Sequence, residues 1–166
     1  MRTRGFTLLE VIAAIFILTV GVGGSFSLIH QTLVATSAVK LELTGSYLAQ
    51  EGMEIVKNLR DQGWLTKRAT STLSWDEHLR GDGYWQIDYL TQESSDWTAY
   101  NSTPLNIDSN GFYGYSAGDA TAFTRKVSLE EISTTTTKVT VNVEWKERGR
   151  THSVEILENI TNWYEK

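Results

Sequence analysis

Two residues near the N-terminus carry the clearest chemical signal in the chain. Arg4-Gly5-Phe6-Thr7-Leu8-Leu9-Glu10 opens an apolar run in which no residue from Val11 to Ile29 is charged, with Gly5 just ahead of the run and Glu10 inside it. A carboxylate at the centre of a membrane helix costs roughly 2 to 3 kcal/mol, so one that persists there usually meets a specific partner. Gly5 sits before the run and not after it. The chemistry suggested is a specific partner for the Glu10 carboxylate.

The remaining candidate groups do not converge on a reaction. His30, His78 and His152 are far apart, and no HExxH, GxSxG or P-loop pattern occurs. Asp76-Glu77-His78 reads as a solvated helix start. Asp108-Ser109-Asn110-Gly111 begins like a calcium loop but lacks the later ligands and the Glu at the twelfth position, whereas Asn-Gly is a favoured hairpin turn. The turn is the preferred reading. Trp64, Trp75, Trp85 and Trp97 with Tyr84, Tyr89 and Tyr100 have the composition of a stacking platform for sugars or single-stranded DNA, yet in a small sheet domain such residues more often form the core. Lys57, Arg60, Lys67, Arg68 and Arg80 are diluted by Asp61, Asp76 and Glu77. Asn101-Ser102-Thr103 and Asn159-Ile160-Thr161 have sequon spacing, which arises often by chance, and no modification is assigned to them. These patterns predict no enzyme, no metal and no cofactor.

The elements that position Gly5 and Glu10 follow from periodicity. Phe6 to Ile29 as a helix spans about 36 Å at ~1.5 Å per residue, enough for a bilayer core of ~30 Å. A conventional signal peptide has a shorter apolar region with small residues after it; here the glycine precedes the run. Pro104 is the first proline, so helix can continue into an amphipathic half over residues 39–65. There Leu41, Gly45, Leu48, Gly52, Ile55 and Leu59 fall at alternating spacings of four and three. Gly45 and Gly52 on that stripe predict close approach of strands, at about 1 kcal/mol each relative to Ala. Gly21, Gly23 and Gly24 weaken the apolar half.

Beyond Gly63 the pattern becomes sheet-like. Tyr84 to Leu90, Ala122 to Leu129 and Lys138 to Trp145 read as strands, and Glu147-Arg148-Gly149-Arg150 turns into a partner strand from Thr151 to Leu157. Trp75 to Leu79 reads as a short helix and Ser94 to Ala120 as the longest irregular region. The predicted class is α+β: a long N-terminal helix, half membrane-spanning and half amphipathic, packed on a small antiparallel sheet. With 166 residues, 40% hydrophobic and 11% aromatic, the chain supplies one modest core besides the apolar helix. The formal charge of -5 gives no general attraction to nucleic acid or anionic lipid, and with no cysteine the head is held by packing alone.

Gly5-Phe6-Thr7-Leu8-Leu9-Glu10-Val11 resembles the processing motif of type IV pilins and pseudopilins. The resemblance implies a leader of residues 1–5, cleavage by a prepilin peptidase between Gly5 and Phe6, and N-methylation of Phe6. It also implies that Glu10 is an assembly residue, its carboxylate satisfied in the filament by the N-terminal amine of a neighbouring subunit; each charge then offsets the other's desolvation. Residues 6–29 would be the transmembrane and filament-core half of the helix and residues 30–166 the head. Two features depart from many pilins: the missing disulfide, and Ser27 in the neighbourhood of a helix-breaking proline.

The segment from Ser46 to Asp61, which contains Leu48-Ala49-Gln50-Glu51-Gly52-Met53-Glu54, is similar to a stretch of PilV-like minor pilins, also termed type IV pilus modification proteins. The combined resemblance implies a minor pilin, held in the cytoplasmic membrane by a single pass and then assembled with other pilin subunits into an extracellular filament. The alternatives are a minor pseudopilin of a type II secretion system, or a membrane-tethered module whose head binds glycan or DNA. No residue pattern establishes either ligand.

Overall fold

With no proline before Pro104 to break it, one long helix runs through the glycines of the N-terminal part, and a run of alternating strands gives the sheet that its later part packs on. The computed structural model describes residues 5, 7–69 and 74–163. Helix α1 runs Leu8–Ala69. The strands are β1 Gly83–Gln86, β2 Thr98–Ala99, β3 Asn106–Ile107, β4 Tyr113–Gly114, β5 Asp119–Ala120, β6 Phe123–Ser133, β7 Thr136–Glu147 and β8 Arg150–Thr161. The architecture is the α+β arrangement expected. Two compact units divide the chain, one ending at Leu41 and the other beginning at Glu42.

In the first unit every apolar side chain from Leu8 to Ile29 is exposed. By length and composition this part of α1 is able to cross a membrane. Its hydroxyls are satisfied within the helix: Ser25 Oγ donates to the Gly21 carbonyl and Thr32 Oγ1 to the Leu28 carbonyl, both at 2.9 Å. Such back-bonding hides a polar group from an apolar surrounding.

In the second unit α1 buries Gly45, Leu48, Ala49, Gly52, Met53, Val56, Leu59, Gly63 and Trp64. The stripe is centred slightly to one side of the predicted one, so Leu41 and Ile55 are only half-buried while Ala49, Met53 and Val56 lie inside. It packs on a five-stranded antiparallel sheet ordered β2-β1-β6-β7-β8. The inner face of β7 supplies Val139, Val141, Val143 and Trp145, opposite Leu129, Val127, Arg125 and Phe123 of β6. The helical glycines are contact points. A Cβ on Gly45 would lie 2.7 Å from the Trp145 ring, and one on Gly52 would lie 2.9 Å from Val141 Cγ1. Helix and sheet therefore approach more closely than any larger residue would allow.

The β7–β8 hairpin closes at Glu147↔Arg150. Arg148 and Gly149 take φ of 50° and 79°, the doubly left-handed pair of a two-residue hairpin turn that matches strand twist. Other expected elements are modified. The strand expected over Tyr84 to Leu90 stops at Gln86, because the Asp88 carboxylate accepts the Leu90 N–H at 3.0 Å and the Asp88 carbonyl accepts Thr91 N–H at 3.0 Å, closing a turn. Trp75 to Leu79 is a hydrogen-bonded turn, with Leu79 N–H donating to Asp76 at 2.8 Å, and not a helix. The region expected to be irregular holds a second small sheet, ordered β4-β3-β5.

Candidate processing and assembly site

The N-terminal site is built where the helix begins. Gly5 and Thr7 lie outside regular structure and are exposed, and α1 starts at Leu8. Thr7 Oγ1 accepts the Glu10 N–H at 3.3 Å, and the Thr7 carbonyl accepts Val11 N–H at 3.2 Å. That makes Thr7 the N-cap, with Glu10 three residues on in the spacing of a capping box. Glu10 stands in the first helical turn and is exposed; the partial positive charge of a helix N-terminus favours a carboxylate there. Phe6, expected as the cleavage and methylation residue, lies outside the described residues, as do residues 1–4 of the expected leader.

The exposed apolar surface that follows is large: Phe16 is 67% and Ile17 70% exposed, in a run without charge. Such a surface belongs in lipid or against other chains. The site's chemistry is thus a backbone open ahead of a helix, one carboxylate, and a helix made for an apolar medium.

The head gathers no comparable constellation. Trp64, Trp75 and Trp97 are core residues, and Trp85 meets Trp97 edge-on at 6.3 Å between ring centroids. Tyr84 and Tyr89 are exposed and Tyr100 is half-buried, with Lys126 Nζ 5.5 Å from the Tyr84 centroid and 5.8 Å from that of Tyr100. The seven aromatics therefore do not form one platform. The basic cluster is dispersed among partners: Lys57 Nζ is 2.8 Å from Glu158, Arg60 is 2.8 Å from Asp61, and Arg80 lies over Trp85. The hydrogen bond to Glu158 holds the Lys57 ammonium above the ordinary lysine value of 10.5, against partial desolvation.

The Asp108 segment is a hairpin turn between β3 and β4. Its carboxylate accepts the N–H of Phe112 at 2.9 Å and of Asn110 at 2.8 Å, and Gly111 takes φ of 89°. The bond from Phe112, followed by those from Asn110 and Gly111, holds the Asp108 carboxyl below the usual carboxylate range despite some desolvation. The histidines stay apart: His78 Nε2 is 3.4 Å from Thr66 Oγ1, His152 stacks on Trp145, and His30 is exposed on α1. Among the described residues no group of three metal-ligating side chains comes together.

Sequence reasoning missed two buried polar residues that organise the head. Arg125 is fully buried; its Nη1 donates to the Leu48 carbonyl at 3.1 Å and to Glu51 Oε2 at 3.0 Å, and its Nη2 donates to the Ile87 carbonyl at 2.7 Å. One guanidinium thus ties α1 to the segment after β1. Asp88 Oδ2 accepts the Tyr115 N–H at 2.9 Å, close enough to Gly114 that a Cβ there would sit 2.9 Å away. The available signal for Arg125 was a charge at an inward position of the Phe123, Val127, Leu129 alternation.

Residues 1–26 match the family model of the prokaryotic N-terminal methylation motif, the signal of type IV pilin-like prepilins. No curated protein and no solved structure matches the chain. The N-terminal segment is therefore that of a prepilin-type substrate, and a motif of this kind fits a structural subunit that is processed, anchored in a membrane and assembled.

Proposed function

We propose that this chain is a minor pilin of the PilV-like kind. Residues 1–5 form a leader removed by a prepilin peptidase between Gly5 and Phe6, and the new N-terminus at Phe6 is methylated. Residues 6–29 hold the subunit in the cytoplasmic membrane by a single pass and later enter the filament core, while residues 30–166 are displayed as the head of an extracellular type IV pilus-like filament. The observation that carries the reading is the methylation motif over residues 1–26 coinciding with an exposed, uncharged helix from Val11 to Ile29. Such a helix has no place in a dissolved monomer, and leaving lipid for a filament of other pilins keeps it apolar throughout.

Glu10 supplies the register. An exposed carboxylate in the first turn costs little in a single chain, but it must be neutralised when packed among apolar helices. A neighbouring N-terminal ammonium does so in only one axial position, which makes Glu10 an assembly residue. The finer assignment to a minor pilin draws its support from the resemblance of Ala49-Gln50-Glu51-Gly52, of which Ala49 and Gly52 are buried against the sheet and Glu51 pairs with Arg125.

Intact-mass analysis of the chain recovered from membranes tests the reading. The expected product begins at Phe6 and carries one additional methyl group. A product beginning anywhere between residues 24 and 37 indicates conventional signal peptidase cleavage and overturns it. Glu10→Ala is expected to be cleaved as the parent is and to be absent from sheared filaments; normal incorporation refutes the register role.

A further inference from the structure

We propose that the outer face of the sheet, turned away from α1, holds a binding site for a short neutral glycan. Strand register lines up two rows of side chains across that face. One row runs Tyr84, Ser128, Thr140 and Leu157 over β1, β6, β7 and β8, and the next runs Lys126, Asn142 and Glu155. The register of β1 with β2 continues to Tyr100, whose N–H donates to the Tyr84 carbonyl at 3.0 Å, so the two tyrosines are neighbours on one face. Lys126 Nζ lies 5.5 Å from the Tyr84 ring centroid and 5.8 Å from that of Tyr100, within cation–π range of both. Tyr84 still keeps 64% of its surface exposed, so its ring is open to a ligand. Between the rows lies an open groove, and its four strands, spaced at ~4.8 Å, span about 14 Å, room for a short oligosaccharide.

The polar groups decide the occupant. Lys126 meets the two rings and, among the described residues, no carboxylate, whereas Lys138 is paired with Glu130 at 2.9 Å. Three carboxylates, of Asp82, Glu130 and Glu155, line the groove against the two ammonium groups of Lys126 and Lys138, so its formal charge is negative by one. It therefore does not attract a nucleic acid or an acidic polysaccharide. A flat apolar partner would bury the Lys126 ammonium, the Asn142 amide and the Glu155 carboxylate without hydrogen bonds, at high cost. Sugar hydroxyls both donate and accept, which suits an ammonium that only donates, a carboxylate that only accepts and an amide that does both. The slightly positive C–H face of a sugar ring also complements the negative face of a tyrosine. The site belongs to the head alone, goes beyond the assembly role and does not depend on cleavage at Gly5.

The test is an NMR titration of the isotope-labelled full-length chain, in sugar-free zwitterionic micelles, with cellotriose, maltotriose and the trimer of N-acetylglucosamine. At least one of them is expected to give saturable amide shifts at Tyr84, Lys126, Asn142 and Glu155, with a Kd of about 1 mM. Tyr84→Ala is expected to weaken that binding about tenfold and Asn142→Ala about fivefold. Tyr84→Phe keeps the ring, and Tyr47→Ala removes an exposed tyrosine of α1 outside the groove; both are expected within about twofold of the parent. The absence of saturable shifts with all three sugars at about 10 mM overturns the proposal and leaves Lys126 and its tyrosines as a cross-strand packing cluster. Unchanged affinity in both Tyr84→Ala and Asn142→Ala overturns it as well. So does tighter binding of an oligothymidylate or a hyaluronan tetrasaccharide than of any of the neutral sugars, since that marks the face as a polyanion site.

Discussion

Placing a carboxylate on either side of β7 distinguishes the two faces of the sheet within one step of the chain. Val141 is 0% exposed, pairs with Val127 and Ile156, and meets Gly52 of α1 so closely that a Cβ on that glycine would be 2.9 Å from it. Val141→Asp forfeits about 1.5 to 3 kcal/mol of apolar burial. It also buries a carboxyl, adding roughly 2 to 7 kcal/mol where the group is left unpaired; Arg125 Nε, buried and without a hydrogen-bond partner, lies over the same glycine and offsets that cost only as far as the new side chain reaches it. The sum, roughly 3.5 to 10 kcal/mol, is comparable with the ~5 to 15 kcal/mol stability of a typical domain. Thr140 points to the opposite face and is half-buried among Lys138, Ser128, Asn142 and Glu155, so Thr140→Asp should stay within the ~1 kcal/mol span of strand propensity. The assay is thermal unfolding of a fragment of residues 30–166, proposed to fold without the apolar segment because its core is supplied by α1 beyond Glu42 and the sheet. Thr140→Asp is expected to melt within about 5 °C of the parent fragment, and Val141→Asp to show no cooperative transition. Equal melting temperatures for the two variants would refute the facing of β7 and the helix-on-sheet packing with it.

Two further outcomes follow from the polar contacts of the head. Arg125→Met keeps apolar length but leaves the Ile87 carbonyl without its donor and Glu51 without its cation; a loss of about 3 to 5 kcal/mol is expected by urea unfolding, and a variant as stable as the parent would show that the buried guanidinium contributes nothing net. For Lys57 the folded value is raised by Glu158, so the stabilisation is fully present below the ordinary lysine value of 10.5 and is lost as pH rises through the higher folded value. The melting-temperature gap between parent and Glu158→Gln should accordingly be constant from about pH 7 to 9 and shrink as pH rises past 10.5 and through the higher folded value; a gap that persists in strong base assigns it to something other than the ammonium.

The parts of this molecule that were legible in the sequence are those whose partners carry a pattern of their own. Val139, Val141, Val143 and Trp145 alternate against polar residues, and Phe123, Val127 and Leu129 do so on the neighbouring strand, so β6 and β7 announce themselves. Gly45 and Gly52 recur on an apolar helical stripe, a spacing that has little purpose unless something approaches closely, and Trp145 and Val141 do. The small sheet of β3, β4 and β5 was not legible because strands of two residues span a single period of alternation, which leaves no repeat to recognise.

Arg125 and Asp88 show a different limit. Most of what they bind is backbone: the Leu48 carbonyl 77 residues away, the Ile87 carbonyl 38 away, the Tyr115 N–H 27 away. Every residue but proline offers those groups, so nothing in the partner's identity marks the pairing. An inward-facing charge in a strand is therefore a signal without an address: it says that something must satisfy it and leaves the fold to say what. Glu10 poses the same question at the other end of the chain. Its helix is exposed and its first turn offers a cap and a dipole; the partner proposed for its carboxylate is the N-terminal amine of a neighbouring subunit, since a charge packed among apolar helices is tolerated only when another offsets its desolvation.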